Sequence, residues 1–248
     1  MIPDLDPRFL LARADLAEQA LEGLVPAARY RETQAYRCLL GFAPILDASG
    51  EKIGEILFGE AFDVLETVDG RCWGRARRDG TVGYIDLDLL GPLTDLPTRR
   101  VASTESTLPF NALVSEADPV EPEHLADFRT FDPDLATSAE RLLGAPYRWR
   151  GRARAGVDCG GLVQQALLGC GWPAPRPSDM QARLGRPVRS ARRGDLIVWV
   201  GHHVAIAVND TDVIHACPDA GQVRLDSFED VDSRWQSRGA SAPDIRRL

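Results

Sequence analysis

The chain is short of basic charge, of long apolar runs, of paired cysteines and of histidine, and each shortage narrows what it can do. Among 248 residues, 29 are Lys or Arg against 37 Asp or Glu, a formal net charge of -8. Phosphate backbones and anionic lipid surfaces repel such a chain unless it carries a local basic patch, so no nucleic-acid partner is expected. The longest apolar candidates, Leu196 to Val200 and Val204 to Val208, fall far below the roughly 18 consecutive residues of a bilayer span. Asp4, Asp6 and Pro7 stand where a signal peptide needs Lys or Arg, which predicts a soluble, cytoplasmic protein. The five cysteines, Cys38, Cys72, Cys159, Cys170 and Cys217, are odd in number and show no CxxC spacing, which argues against a disulfide framework and a zinc ribbon and leaves at least one free thiol.

What is present reads as a folded protein with two centres. Hydrophobic residues at 44% and charged residues at 27% are ordinary globular usage and exclude a disordered or collagen-like chain. At roughly 150 residues per domain the length allows one large domain or two small ones. Leu10, Leu11, Ala14, Leu16, Leu21 and Leu24 predict a helical arm within residues 1–30, running from 8 and ending near Gly23. Short β runs then fill residues 31–92, with Asp69-Gly70 and Asp79-Gly80 between them. Asp-Gly suits two-residue hairpin turns, so a small meandering barrel is expected. Residues 93–132, broken by Pro97, Pro109, Pro119 and Pro122, read as a linker or part of a second barrel. From 133 to 248 helical patterns come first (LATSAERLLG, then VDCGGLVQQALLGCG), followed by the strands DLIVWV, HVAIAV, DVIHACP and QVRLD. That order is α+β.

Cys159 is the sharpest chemical feature. Asp158 is a good N-cap, which puts Cys159 in the first turn of its helix, where the macrodipole and unpaired amides favour a thiolate and could hold an oxyanion. The plain alternative for any one cysteine is a buried packing residue. Cys170, eleven positions on, lies about 16 Å away along the helix axis and cannot bond to it. A thiol nucleophile needs a base, and a base needs an orienting partner. Strand alternation puts His202 on the face of Val204 and Ile206, and His203 on the face of Ala205 and Ala207, where small side chains leave room for substrate; His203 is therefore the expected base. His215 on the next strand could hydrogen-bond its far nitrogen, whereas His124 reads as a surface residue. His215 and Cys217 share a strand face, but no compact ligand pair such as HExxH occurs, so neither a metal nor another cofactor is expected.

LLGAPYRWRGRARAGVDCGGLVQQAL, RPSDMQ, RRGDLIVW and GHHVAIAVNDTDVIHA together resemble the NlpC/P60 cysteine peptidases of bacterial cell-wall peptides, and the β-rich stretch before them looks like the bacterial SH3-type barrel of such enzymes. The resemblance implies a papain-like α+β catalytic domain behind an SH3-like barrel, with Cys159 as nucleophile, His203 as base and His215 as orienting residue. It implies hydrolysis of the γ-D-glutamyl to diamino acid bond of murein peptides through a thioester. It further implies free fragments with an N-terminal L-Ala, whose amine meets Asp158 and barrel residues, for which Glu60 and Tyr84 are the candidates. Tyr147 and Ser178 would line the pocket, with Gly160 and His202 beside it. Departures from the family pattern are Gly160 where a serine is usual, Trp149-Arg150-Gly151 for WGG, and Pro175-Arg176-Pro177 for PRD. The competing readings are a non-catalytic wall-peptide binding protein and a related amidase or acyltransferase.

Overall fold

The computed structural model describes residues 6–248. Seven strands form the first unit: β1 (Gln34–Cys38), β2 (Phe42–Leu46), β3 (Lys52–Leu57), β4 (Ala61–Val68), β5 (Arg71–Ala76), β6 (Val82–Asp86) and β7 (Leu90–Pro92), in the spatial order β3-β2-β6-β5-β4-β1-β7. Its pairings are antiparallel, and alternate residues such as Ile45, Ile56, Phe62, Val64 and Ile85 turn inward to a common core. The Asp69-Gly70 turn is the expected two-residue hairpin, with both residues at positive φ (48° and 76°) between the paired Val68 and Arg71. Asp79-Gly80 is not. Only Gly80 has positive φ there, the connection is longer, and the Asp79 carboxylate accepts from the Thr81 amide and from Gln164 of the later domain.

The expected N-terminal helix from residue 8 does not form, and residues 1–5 of the expected arm lie outside those described. Ala17–Glu18 pairs in parallel with Tyr30–Arg31 around a single 3-10 turn at Gln19–Leu21. Leu11 and Leu16, which do not share one helical stripe, are instead buried against Leu65 and Trp73 of the barrel. Tertiary packing overrides the local pattern. Residues 93–132 contain a three-stranded antiparallel sheet, β8 (Arg99–Val101), β9 (Leu113–Val114) and β10 (Leu125–Asp127), in the order β9-β8-β10. Its small apolar cluster of Val101, Ala112 and Val114 takes in Phe58 from the barrel.

The second large unit has a six-stranded sheet between helices. Its helices are α1 (Leu135–Glu140), α2 (Cys159–Gly169), α3 (Ser178–Gln181) and α4 (Phe228–Ser237). Its strands are β11 (Arg186–Val188), β12 (Leu196–Trp199), β13 (His203–Ala207), β14 (Asp212–Cys217), β15 (Gln222–Ser227) and β16 (Asp244–Arg247), in the order β11-β16-β12-β13-β14-β15. Val198, Val204, Ile206 and Ile214 pack on α1 and α2, while Ile197, Trp199, Ala205, Ala207 and Val213 pack on α4. Both faces are therefore covered. Among the described residues no helix is long and apolar enough to cross a membrane.

The two units are joined through buried charge. The Arg152 guanidinium donates to both oxygens of Glu60, at 3.0 and 2.7 Å, with both side chains fully buried, and the Arg152 amide donates to Glu55 at 2.8 Å. Glu60 thus holds the barrel to the hairpin of Arg152–Ala153 and Gly156–Val157 that leads into α2, and both its oxygens are engaged within the protein, where the sequence reading expected a contact with substrate. Removing one member of such a pair leaves the other uncompensated in a dry interface. Glu60→Ala is expected to cost about 3 to 5 kcal/mol in urea unfolding. A loss below about 1 kcal/mol, the level of an exposed pair, would contradict this role.

Candidate active site

The site is built where the start of α2 meets β13. Asp158 caps the helix as expected: its carboxylate accepts from the Gly161 amide at 2.7 Å, leaving the first-turn amides of Cys159 and Gly160 without helical partners. Gly161 has to be glycine, because a Cβ there would meet the Gly151 carbonyl at 2.1 Å. At Gly160 a Cβ would lie 2.9 Å from Nη1 of Arg176 and 3.1 Å from its carbonyl oxygen, so the arginine takes up the space a side chain would need. Gln181 donates to the Gly160 and Pro175 carbonyls, at 2.9 and 2.8 Å, and fixes α3, with Ser178 at its start, against the nucleophile turn.

The Cys159 thiol differs from the expectation. Burial, and next the neighbouring Asp158 charge, push it up to about 11, while backbone hydrogen bonds with Val204 and Gly160 and the Arg176 charge pull the other way. The resting group is a thiol. The helix dipole is outweighed because the sulfur is desolvated and shares its turn with a carboxylate. Cys38 and Cys170 are pushed up to about 12 by burial, Cys217 lies beside His215 and Asp226, and all five cysteines are free.

His203 and His215 are brought together, and a residue the sequence reading missed completes the chain. His203 Nε2 lies 2.7 Å from His215 Nδ1, and His215 Nε2 lies 3.0 Å from Asp226 Oδ2. A carboxylate can only accept, so His215 donates from Nε2 and accepts at Nδ1. His203 must then donate from Nε2, which leaves its Nδ1 lone pair as the base. Both rings are buried, and burial lowers both pKa values, that of His203 well below its usual 6.5. The tautomers are thus neutral and directed. Trp235 of α4 stacks on the His203 ring at 4.7 Å and 20°. Asp226 was legible in principle: the β14–β15 hairpin pairs His215 with Arg224, which puts position 226 on the same face, diagonal to His215.

Other expected residues fall differently. His202 is exposed on the turn before β13, 6.4 Å from Trp235 and outside the relay. Ala205 and Ala207 do not open a substrate space, because α4 covers that face. Tyr147 lies beside Cys159 and Asp158, and burial pushes its hydroxyl up to about 12. Tyr84 packs with Leu11 and Leu16 and its hydroxyl accepts from Arg13 at 3.3 Å, so it serves the N-terminal segment and not the site. The Asp158 carboxylate is buried and already accepts from the Arg150 amide and the Arg176 guanidinium, both at 2.9 Å, so its charge is balanced before any substrate amine arrives. His215, Cys217 and Asp226 place their donor atoms within 4.8 Å of one another. Arg234 already donates to the Cys217 sulfur at 3.4 Å and lies 3.7 Å from Asp226, putting a cation where a metal would have to sit.

Residues 144–241 match the NlpC/P60 family, and residues 49–90 match the bacterial dipeptidyl-peptidase Sh3 domain. The chain carries an NlpC/P60 domain behind a bacterial SH3 domain. Among similar proteins, dipeptidyl-peptidase 6 of Lysinibacillus sphaericus is 29% identical over 113 residues, covering 44% of this chain and 41% of that protein. The gamma-D-glutamyl-L-lysine dipeptidyl-peptidase of Bacillus subtilis is 29% identical over 92 residues, covering 34% and 31%. The match therefore spans less than half of either relative. An NlpC/P60 family protein from Bacillus cereus shares the fold at a TM-score of 0.72 and 16% identity, with 86% of this chain and 99% of that chain covered. In this NlpC/P60 domain the α+β arrangement, with an antiparallel sheet behind the nucleophile helix, is the one expected from the sequence.

Because the resting sulfur is protonated, alkylation of Cys159 by iodoacetamide is expected to accelerate about tenfold per pH unit between pH 7 and 9. Peptide mapping of the alkylated thiol reads this directly. A rate already flat from pH 6 upward would mean a preformed thiolate.

Proposed function

We propose that the chain is a cysteine peptidase that hydrolyses the γ-D-glutamyl to diamino acid bond of murein peptides through a thioester on Cys159. The observation that carries this reading is the directed relay from Asp226 through His215 to His203, at the start of the strand against which the capped helix start with Cys159 packs through Val204. The bond assignment draws on the printed activity of the Bacillus subtilis relative. A binding protein has no need of a buried, tautomer-fixed imidazole relay.

Nδ1 of His203 takes the Cys159 proton as sulfur attacks the γ-carbonyl carbon. The oxyanion is held by the first-turn amides of Cys159 and Gly160, the latter turning from the sulfur to the oxygen as the sulfur bonds to carbon. His203 then gives its proton to the departing amine, and water, deprotonated by the same imidazole, cleaves the thioester to release the γ-carboxylate. Asp226 and His215 hold the ring in the needed tautomer and stabilise the imidazolium that forms.

Incubation with L-Ala-γ-D-Glu-L-Lys and with its diaminopimelate counterpart tests the reading, with release of the free diamino acid as the signal. Cys159→Ala is expected to abolish turnover, and His203→Ala to lower kcat by about 10² to 10⁴. Asp226→Asn should lower kcat by about 10² to 10⁴ with little change in KM, since it releases the tautomer of the relay and removes the charge that supports the imidazolium. A folded wild-type protein that releases no product would overturn the assignment.

The pH dependence follows from the two shifts. His203, lowered below 6.5, is already neutral at pH 6.5, and Cys159 keeps its proton to about pH 11. kcat/KM is therefore expected to be flat from pH 6.5 to 9, with its acid limb below 6.5. An acid limb centred at or above 6.5 would contradict a buried neutral base.

A further inference from the structure

The hairpin of β14 and β15 brings together three metal-ligating side chains, of which the peptidase mechanism uses two. His215 and Cys217 alternate onto one face of β14, and the register that pairs His215 with Arg224 puts Asp226 on that face as well. One donor atom from each lies within 4.8 Å of the other two, with His215 and Cys217 buried and the Asp226 side chain 9% exposed. His215 Nε2 and Asp226 Oδ2 are already 3.0 Å apart. A tetrahedral zinc ion keeps such donors roughly 3.4 to 3.5 Å from one another, so the sulfur has to close in by about 1.4 Å at most. Imidazole, thiolate and carboxylate are zinc donors, whereas magnesium and calcium take oxygen alone.

The place is built for a positive charge, and the charge now in it is loosely held. Two N–H donors meet the Cys217 sulfur, the Ala220 amide and the Arg234 guanidinium, both at 3.4 Å. Arg234 stands 3.7 Å from Asp226 and 3.8 Å from Asp219, and its side chain is 30% exposed. Those separations exceed the roughly 2.7 to 2.9 Å of a direct charge-assisted hydrogen bond. Arg224 meanwhile keeps the other oxygen of Asp226 at 2.7 Å. Arg234 can therefore swing to water without unseating the carboxylate.

We propose that His215, Cys217 and Asp226 form an inhibitory zinc site, for which the ion competes with Arg234 and by which it switches the histidine relay off. His215 Nε2 gives its proton to water as its lone pair goes to zinc. The ring stays neutral by carrying a proton on Nδ1, taken from His203 Nε2 at 2.7 Å. His203 in turn takes a proton from water on Nδ1, the nitrogen that would otherwise accept from Cys159. Cys217 binds as thiolate and releases its own proton, so one proton leaves for each ion bound. Zinc binding does not need the peptidase reading; only the inhibition rests on it.

Cobalt(II) is the spectroscopic probe and Cys159→Ala the host, so that the nucleophile cannot contribute a ligand. A sulfur-to-cobalt charge-transfer band is expected, displaced by zinc and lost on adding Cys217→Ala. Nitrogen-15 NMR of histidine-labelled Cys159→Ala should show the His203 proton moving from Nε2 to Nδ1 as zinc is added. With the nucleophile restored, zinc should inhibit release of the diamino acid, reversibly on chelation. The half-inhibiting concentration should rise at least about tenfold in Cys217→Ala and Cys217→Ser, and fall about threefold or more in Arg234→Gln. Both cysteine variants are expected to retain turnover without zinc. If they unfold, Arg234→Gln and the nitrogen signals carry the test. No cobalt band, a band that survives loss of Cys217, or inhibition unchanged by Cys217→Ala would overturn the site, the last by putting zinc on Cys159. The band and the proton shift in a protein without hydrolysis would leave the zinc site standing and sink the peptidase reading. Hydrolysis with neither would do the reverse.

Discussion

A carboxylate that can only accept hydrogen bonds sets the direction of the whole site. Asp226 obliges His215 to donate from Nε2, His215 obliges His203 to donate from its own Nε2, and the lone pair is left on Nδ1. Everything else around β13 preserves that arrangement. Trp235 stacks on one imidazole, and burial keeps both rings neutral. α4, which brings Trp235, is itself seated through Val231 on the sheet face opposite to α2. Two helices on opposite faces of one sheet thus supply the nucleophile and the support for its base.

The same structure favours a neutral thiol and a neutral imidazole at rest. A helix N-terminus stabilises an anion by fractions of a kcal/mol to about 2 kcal/mol, whereas desolvation and an adjacent carboxylate act on Cys159 together and in the opposite direction. Proton transfer to His203 then belongs to the attack itself. Charge is handled similarly at the domain junction. Arg152 pairs with Glu60 and Arg176 with Asp158.

Much of the fold was readable because its signals are local. The strands from Leu196 to Ser227 appear as short apolar runs between turn residues, and Asp158 followed by Cys159 marks a helix start by capping chemistry alone. His203 was separated from His202 by strand parity, and the structure places them accordingly, one buried in the relay and one exposed. The N-terminal helix misled because leucine content was weighed without a consistent stripe, and Leu11 and Leu16 found their partners in the barrel. Ala205 and Ala207 misled for a related reason. Small side chains can signal an open pocket or a closely packed helix, and only α4 distinguishes the two.

The amino-acid sequence by itself determined the capped helix start at Asp158 and Cys159, the strand that carries His203, and the barrel-then-α+β order, since each depends on neighbours within a few residues. Tertiary structure alone decided the upward push on the Cys159 thiol, the engagement of Asp226 by His215, and the pairing of Glu60 with Arg152 and of Asp158 with Arg176. Those properties are set by desolvation and by charges that meet across the fold from distant parts of the chain, as Arg152 meets Glu60 and Arg8 meets Asp179. Coulomb energies depend on distance in space and on the surrounding dielectric, and residue order specifies neither until the chain has packed.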